Sequence, residues 1–430
     1  MNIAIDLSPL QGPHRMRGIG YTVINFFNAI SEADRKNNHY ILFVLPVTEQ
    51  TPSPLDFLDL SDIKYELREL TKKKHFRLRL PNKLRHINGL LSALQKMTIV
   101  YHGDSRISSL KGIDVFLQCD QSQPLPRRRR GTKIALIAYD IIPYVLEWDY
   151  LWDYKTALRK GYSWRGGLRC KARRWLYIHS LRVNMKRAST VFAISESTAH
   201  DFRKYVSRRR NNIIVTPLGV PDKTIEGAPN KPSLRQYIST SWGYLPSVLA
   251  LDDSAKYLLF VGGADSRRKL EDLVTAFNRL RAQGHEIKLV LAGDSMQGPN
   301  NISTKVIQRA LKHSSYLEDI IFMGFVNDET REWLYSHALA FVFPSRYEGF
   351  GLPVLEAMRY GTPVISYRNA ATEEVALEYP IYADSPKDIE SATLELLQQG
   401  ATIKNRKACV RHSLTYTWTR TASAILSALN

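Results

Sequence analysis

The chain has 430 residues, 44% of them hydrophobic and 23% charged, and a formal net charge of +19. That length calls for two domains, and so ordinary a composition excludes a disordered, collagen-like or disulfide-framed chain. Three scattered cysteines, Cys119, Cys170 and Cys409, fit neither a disulfide scaffold nor a metal-binding spacing, and no apolar run approaches the roughly 18 residues that span a bilayer.

The first half opens with an apolar run over residues 3–7, read as a buried strand. It lacks the basic flank and apolar stretch of a signal peptide, so the expected location is cytoplasmic. A loop of Gly, Pro and Arg follows over 12–20, then a helical segment over 21–30 and a strand over 40–45. Further short strands are predicted at 114–118, 133–139 and 190–194. Continuous apolar runs with helices between them indicate a parallel sheet covered on both faces. Residues 155–187 have helical spacing, with Arg and Lys crowded among Trp164, Trp175 and Tyr177. Strand 213–216 ends in Pro217-Leu218-Gly219, a turn that marks a domain boundary.

The second half alternates strand and helix: 257–261 with 270–283, 288–292 with 304–313, 320–323 with 328–337, and 340–343 with 352–360. Strand 363–366 and helix 386–399 close the series. Such alternation predicts a doubly wound parallel sheet, which binds ligands beyond the carboxyl ends of its strands. The expected fold class is therefore α/β, with two Rossmann-like domains, 1–216 and 217–405, facing a cleft.

All of the excess charge lies in the first half. Residues 1–215 carry 37 Lys and Arg against 18 Asp and Glu, whereas 216–430 carry 23 of each. Charge segregated by domain points to a polyanionic partner for that domain. Of nucleic acid, an anionic membrane surface and an acidic substrate, the membrane comes first, because no nucleic-acid recognition motif is present. Segment 72–97 holds Lys72, Lys73, Lys74, Arg77, Arg79, Lys83 and Arg85, and Leu84, Ile87, Leu91 and Leu94 recur there at helical spacing. A helix of that kind lies on an anionic bilayer or turns its apolar stripe to the core. Arg127–Arg130 and Arg208–Arg210 read as solvated loop runs.

The stretch that carries chemistry runs Pro344-Ser-Arg-Tyr-Glu348-Gly349-Phe350-Gly351-Leu352-Pro353-Val-Leu-Glu356. It sits where a strand gives way to a helix. Gly349 and Gly351 let the backbone approach a ligand, Pro353 suits a first helical turn, and amides at the helix start make an anion site. Glu348 in the loop and Glu356 about one turn into the helix flank that site. A glycine turn before a helix is common, and Glu356 alone would do no more than offset the helix dipole. The whole string argues for more than that.

This string resembles the Glu-x7-Glu signature of the family 4 retaining glycosyltransferases, which adopt the two-domain GT-B fold. The likeness is strongest from Tyr257 to Ile381. It implies that Glu348 meets the donor sugar near the reacting carbon and Glu356 the ribose hydroxyls. Gly262-Gly263-Ala-Asp-Ser-Arg267-Arg268-Lys269 is similar to the family's Gly-Gly-x-x-x-Arg-Lys-Asn segment, whose basic pair holds the donor diphosphate. Arg268 stands at the Lys position and Lys269 at the Asn position. Gly324, Phe325 and Val326 resemble the segment whose backbone recognises the base. Arg17-Gly18-Ile19-Gly20 resembles the Gly-rich loop that closes over the diphosphate, although an ordinary tight turn would look the same. Tyr139-Asp140-Ile-Ile-Pro143 resembles a His-Asp-x-x-Pro segment lining the reaction centre, with Tyr139 at the His position and Asp140 a second catalytic candidate. Ser195 and Glu196 match the junction that follows, where a helix cap is the simpler role. Residues 406–430 resemble the C-terminal helix that packs back across the domain interface.

No Asp-x-Asp pair and no paired-histidine motif occurs, so neither a metal nor another cofactor is expected. Arg267, Arg268 and helix-start amides would then neutralise the leaving diphosphate. The expected activity is metal-independent, retaining transfer of a hexose from a nucleotide-sugar donor to a lipid-linked or oligosaccharide acceptor, on the inner face of the cytoplasmic membrane. Mannose is favoured, because the Arg-Gly-Ile-Gly and Asp-Ile-Ile-Pro pair resembles O-antigen mannosyltransferases. The alternatives are a nucleotide-sugar epimerase of the same layout, against which the Glu-x7-Glu string argues, and a degenerate scaffold, favoured only by Tyr139.

Overall fold

The computed structural model describes residues 1–12, 15, 18–48, 51, 53–70, 107, 109–127, 129–207, 212–221, 251 and 255–430. The basic segment 72–97, Arg17 and Arg208–Arg210 lie outside the described residues. The chain divides into two units: Met1–Gly219 with Trp418–Asn430, and Val220–Thr417.

In the first unit a seven-stranded sheet has the order β3-β2-β1-β4-β5-β6-β7, with its strand pairs parallel throughout. Its strands are β1 (Asn2–Asp6), β2 (His39–Val44), β3 (Tyr65–Glu69), β4 (Val115–Gln118), β5 (Lys133–Ala138), β6 (Thr190–Ala193) and β7 (Ile213–Val215). The predicted strands are all present. β3 escapes sequence reading because it is an edge strand, YELRE, whose mostly exposed side chains need no apolar run. Helix α1 spans Gly18–Asn28, so Gly18 and Gly20 form its first turn rather than the predicted loop. The basic stretch after residue 153 is two helices rather than one: Tyr154–Arg159, then α2 (Trp164–Arg187), broken at Gly161 by its φ of +84°. Ser195 caps the short helix α3 (Glu196–Asp201), its hydroxyl accepting from the Thr198 amide at 2.9 Å.

The second unit holds a six-stranded parallel sheet, β10-β9-β8-β11-β12-β13. Its elements in chain order are β8 (Tyr257–Val261), α4 (Leu270–Ala282), β9 (Lys288–Ala292), α5 (Lys305–Lys312), β10 (Ile320–Gly324), α6 (Asp328–His337), β11 (Ala340–Phe343), α7 (Leu352–Arg359), β12 (Val364–Tyr367), α8 (Ala370–Ala376), β13 (Ile381–Ala383), α9 (Pro386–Gln399) and α10 (Ile403–Ser413). The alternation read from sequence is all there. The missed pair, α8 and β13, is too short to show a period. Central strands such as β11, AFVF, are buried along their whole length, as strands covered on both faces must be. Their side chains join those of α4 and α9 in one apolar core that includes Leu258, Phe260, Phe277, Leu291, Val342 and Ile389.

The last helix, α11 (Trp418–Leu429), belongs to the first unit. Trp418 meets Tyr21 of α1 edge-on at 6.0 Å, Thr421 donates to the Pro217 carbonyl at 2.7 Å, and Lys133 reaches the carbonyl of Leu429 at 3.1 Å.

Candidate functional site

Strand order fixes where a ligand can bind. In the second unit the chain runs outward from β8 through β9 to β10, then returns to place β11 on the other side of β8. The crevice beyond the carboxyl ends of β8 and β11 is therefore the topological switch point, where open α/β sheets bind ligands. The segment after β8 supplies Arg267 and Arg268 in a single 3-10 turn, and the segment after β11 supplies Glu348.

These three side chains are brought together. Arg267 Nη2 lies 3.1 Å from Glu348 Oε2, Arg268 Nε lies 3.4 Å from Oε1, and the buried Ser345 hydroxyl donates to Oε1 at 2.8 Å. Arg267 also pairs with Asp265 at 2.7 Å, and its carbonyl accepts from the Arg346 amide, which ties the two loops together. Glu348 is only 8% exposed. Burial pushes its carboxyl upward, but the charges of Arg267 and Arg268 and the Ser345 bond outweigh that and hold it below the usual glutamate range. Burial lowers the pKa of Arg268 against the pull of Glu348, yet a guanidinium remains charged at neutral pH.

Glu356 stands one turn into α7 in a different setting. Tyr335 donates its hydroxyl to Oε2 at 3.1 Å, and Arg331 Nε approaches the same oxygen at 3.9 Å while its Nη2 pairs with Asp328 at 3.0 Å. Burial is the largest influence here and leaves the carboxyl above the usual glutamate range despite Arg331 and Tyr335. Such a carboxylate has acceptor capacity to offer hydroxyls of a ligand.

Backbone clears the space between. Gly262, Gly293 and Gly324 end the adjacent strands β8, β9 and β10, each with positive φ. A Cβ on Gly262 would fall 2.0 Å from Arg268 Nη1, and one on Gly293 would fall 2.2 Å from the Gly262 carbonyl oxygen. Gly351 opens α7 at φ +97°, with Pro353 in the first turn, so the positive end of the helix dipole faces the loop that carries Glu348. Gly349 lies in that loop, and Leu352 is the first helical residue. Phe350 is buried against Tyr416 at 6.0 Å, so its side chain anchors the loop and only its backbone is left for a ligand. Val326 is likewise buried, just before Asn327 caps α6 through the Thr330 amide at 2.9 Å.

In the first unit Asp140 follows β5 and accepts from the Ile142 amide at 3.0 Å, just ahead of a one-turn helix, while its carbonyl accepts from the Gln121 side chain. Tyr139 is buried and turned inward: its hydroxyl donates to the Cys119 carbonyl at 3.0 Å and contacts Thr22 of α1. Burial above all, with the Cys119 and Asp120 side chains beside it, pushes that phenol well above its ordinary value, so it stays neutral. Thr22 in turn donates to the Gly18 carbonyl at 2.8 Å. The ring at the His position of the resemblance is thus a brace between β5 and the glycine turn of α1.

Several members of the site were not foreseen: Ser345, Asp265, Tyr335, Arg331 and Gly293. Arg331 and Tyr335 carried a usable signal, since spacing of i and i+4 puts them on one face of α6. Gly293 shared with Gly262 and Gly324 its place directly after an apolar strand. Among the described residues no three His, Cys, Asp or Glu side chains converge to hold a metal ion, and the cations gathered at the switch point are guanidiniums.

Residues 245–412 match the family model of the glycosyl transferases group 1. The O-antigen chain mannosyltransferase B of Escherichia coli is 26% identical over 223 residues, 51% of this chain and 53% of that protein. The serotype-specific mannosyltransferase WbdA of Escherichia coli is 24% identical over 98% of this chain and 47% of its own length. The chain thus spans about half the length of these curated relatives. Among solved structures, sucrose-phosphate synthase from Thermosynechococcus elongatus superposes with a TM-score of 0.63 at 16% identity, over 100% of this chain and 98% of that one. The chain resembles the family 4 glycosyltransferases, and its fold is of the GT-B class.

Proposed function

We propose, from the match of residues 245–412 to the group 1 glycosyl transferases, that this chain is a retaining glycosyltransferase that moves a hexose from a nucleoside diphosphate sugar to a growing lipid-linked glycan. The observation that carries this reading is the buried Arg267–Arg268–Glu348 cluster at the switch point of the second sheet. Two guanidiniums and a helix N-terminus there answer a diphosphate, the most highly charged part of such a donor. Glu356 accepts from the ribose hydroxyls, and Glu348 faces the sugar. The anomeric carbon–oxygen bond to the diphosphate breaks, a bond from the acceptor hydroxyl oxygen to that carbon forms, and the acceptor's proton leaves on the departing diphosphate. Charge building on the leaving group is met by Arg267, Arg268 and the amide dipoles, already in place before the reaction. On this reading the guanidiniums and amides take the place of a divalent ion.

Mannose is the favoured hexose, supported by the names of the two Escherichia coli relatives. A donor carrying guanine would then be bound in preference to one carrying uracil. The excess positive charge of the first half supports a membrane-borne acceptor; no helix among the described residues is long and apolar enough to cross a membrane. Tyr139 favours the second reading, a scaffold without turnover, because its committed hydroxyl leaves no acid–base group where the resemblance has a histidine.

Incubation with GDP-mannose, UDP-glucose or UDP-N-acetylglucosamine and membrane lipid extract, with and without EDTA, tests the proposal. Sugar incorporation from one donor, undiminished by chelator and lost in Glu348→Gln, is the expected result. Nucleotide binding without incorporation from any donor would favour the scaffold, and EDTA-sensitive turnover would remove the metal-independent mechanism.

A further inference from the structure

The surface around α2 fits neither the donor site nor the core. This 24-residue helix contains eight Lys and Arg and no acidic residue. One side, with Gly167, Ile178, Leu181 and Asn184, is buried in the first unit. Along the margin of that buried side run Trp164, Leu168, Lys171 and Trp175, at successive spacings of four, three and four that place them in a single stripe. Trp164 is 58% exposed, Leu168 49% and Trp175 44%. Arg165, Arg169 and Arg173 are exposed further round the helix on its solvent side.

The preceding turns extend this stripe. Tyr162 lies against Gly166 of α2, so closely that a Cβ there would meet its ring at 3.1 Å. Tyr162 contacts Trp152 edge-on at 5.3 Å, Lys160 sits 4.4 Å above the Trp152 ring, and Lys160 also reaches the carbonyl of Trp148, itself a largely exposed side chain.

Exposed tryptophans normally find cover, and a contiguous set marks an interaction surface. Indole rings with a leucine among them suit the boundary between headgroups and acyl chains, where an apolar body and a polar N–H are both satisfied. Flanking cations with no acid on the helix complement an anionic leaflet. Leucine between the indoles adds nothing to binding a soluble polyanion but is buried with them in lipid. We infer that the Trp164–Leu168–Trp175 face of α2, with its flanking arginines, is the site at which this chain docks on an anionic lipid surface. The inference rests on the membrane-facing reading of the first half and locates the contact on residues distinct from segment 72–97.

Sedimentation of the full chain with vesicles of phosphatidylethanolamine and phosphatidylglycerol, or of phosphatidylcholine alone, tests it. Two variants are compared with the wild type: W164A with W175A, and R165A with R169A and R173A. Each is checked for an unchanged circular-dichroism spectrum and an unchanged thermal shift with nucleoside diphosphates, which reads the donor site independently. The wild type should bind the anionic vesicles only. Loss of three cations should lower its partition about a hundredfold, and loss of the two indoles about tenfold. If the wild type binds and both variants bind equally well, the contact lies elsewhere and this inference fails while the membrane reading stands. If only the arginine variant weakens, the face is a polyanion site and the inference fails. If the wild type binds neither vesicle, both fall, and a retained nucleotide shift leaves the donor site untouched.

Discussion

Glu348 and Glu356 lie eight residues apart in sequence and on either side of one helix start, yet their surroundings are opposite. Glu348 is enclosed by two guanidiniums and a serine hydroxyl, which hold it ionised. Glu356 is enclosed by a phenol and a more distant guanidinium shared with Asp328, and burial raises its pKa. The first carboxylate is part of a closed charge network in the protein alone. The second is held at a cost that a ligand's hydroxyls can offset. Two acids that look equivalent in the sequence therefore have different work, and each can be removed separately.

Glu348→Gln should have the largest effect. Turnover should fall about a thousandfold, the scale of losing a preorganised charge at a reaction centre, while nucleoside diphosphate binding by calorimetry changes little. Stability should also drop, by about 3 kcal/mol, because two buried guanidiniums lose their shared partner; denaturant unfolding of the second unit reads this. Gly262→Ala comes next. Its Cβ would fall on Arg268 Nη1 at a φ of +148°, so about 1–3 kcal/mol of strain and a clear loss of nucleotide affinity are expected.

Glu356→Gln should weaken nucleotide binding about tenfold, the worth of charge-assisted bonds to hydroxyls, and leave the melting temperature unchanged or higher. The pH dependences must then differ in sign. The folded pKa of Glu348 is depressed, so its contribution is present above the unfolded glutamate value of about 4.3 and is lost as pH falls through the folded value. That of Glu356 is raised, so its contribution is full at low pH and is lost as pH rises through the folded value. Nucleotide affinity of the wild type should decline on acidification through that raised pKa, and the decline should flatten in Glu356→Gln. Parallel pH profiles for both variants would break the distinction.

The smallest effect concerns Lys269, the residue at the Asn position of the resemblance. It stands just before α4 as its N-cap at φ +43°, a left-handed conformation that costs lysine more than asparagine or glycine. Lys269→Gly should stabilise the second unit by about 0.5–1 kcal/mol, since the partly exposed pair with Glu271 contributes little. A decrease in the midpoint of denaturant unfolding would show that the ion pair outweighs the strain.

The two halves differ in how much their sequences disclosed. In the second, apolar strands such as β8 and β11 were legible, because burial on both faces leaves continuous runs, whereas the switch point follows only from the order of the strands in the sheet. Tyr335, Arg331 and Ser345 were not, because their roles depend on which carboxylate each one meets across the fold. In the first half, charged edge strand β3 has no apolar pattern to betray it. Gly18 and Gly20 lie in a helical turn rather than a loop, and nothing in the local sequence distinguishes the two. Tyr139 shows the same limit: its type departs from the resemblance, but only coordinates reveal that its hydroxyl braces the Cys119 carbonyl.

Calorimetric titration of GDP and UDP into the wild type and into Arg268→Ala, without metal and again with magnesium, addresses the donor site most directly. One nucleotide should bind the wild type equally well under both conditions, and Arg268→Ala should weaken it about a hundredfold, the scale of a lost charge-assisted phosphate contact. Equal binding by the two proteins, or binding that appears only with magnesium, would contradict the assignment of the arginine pair as the diphosphate site.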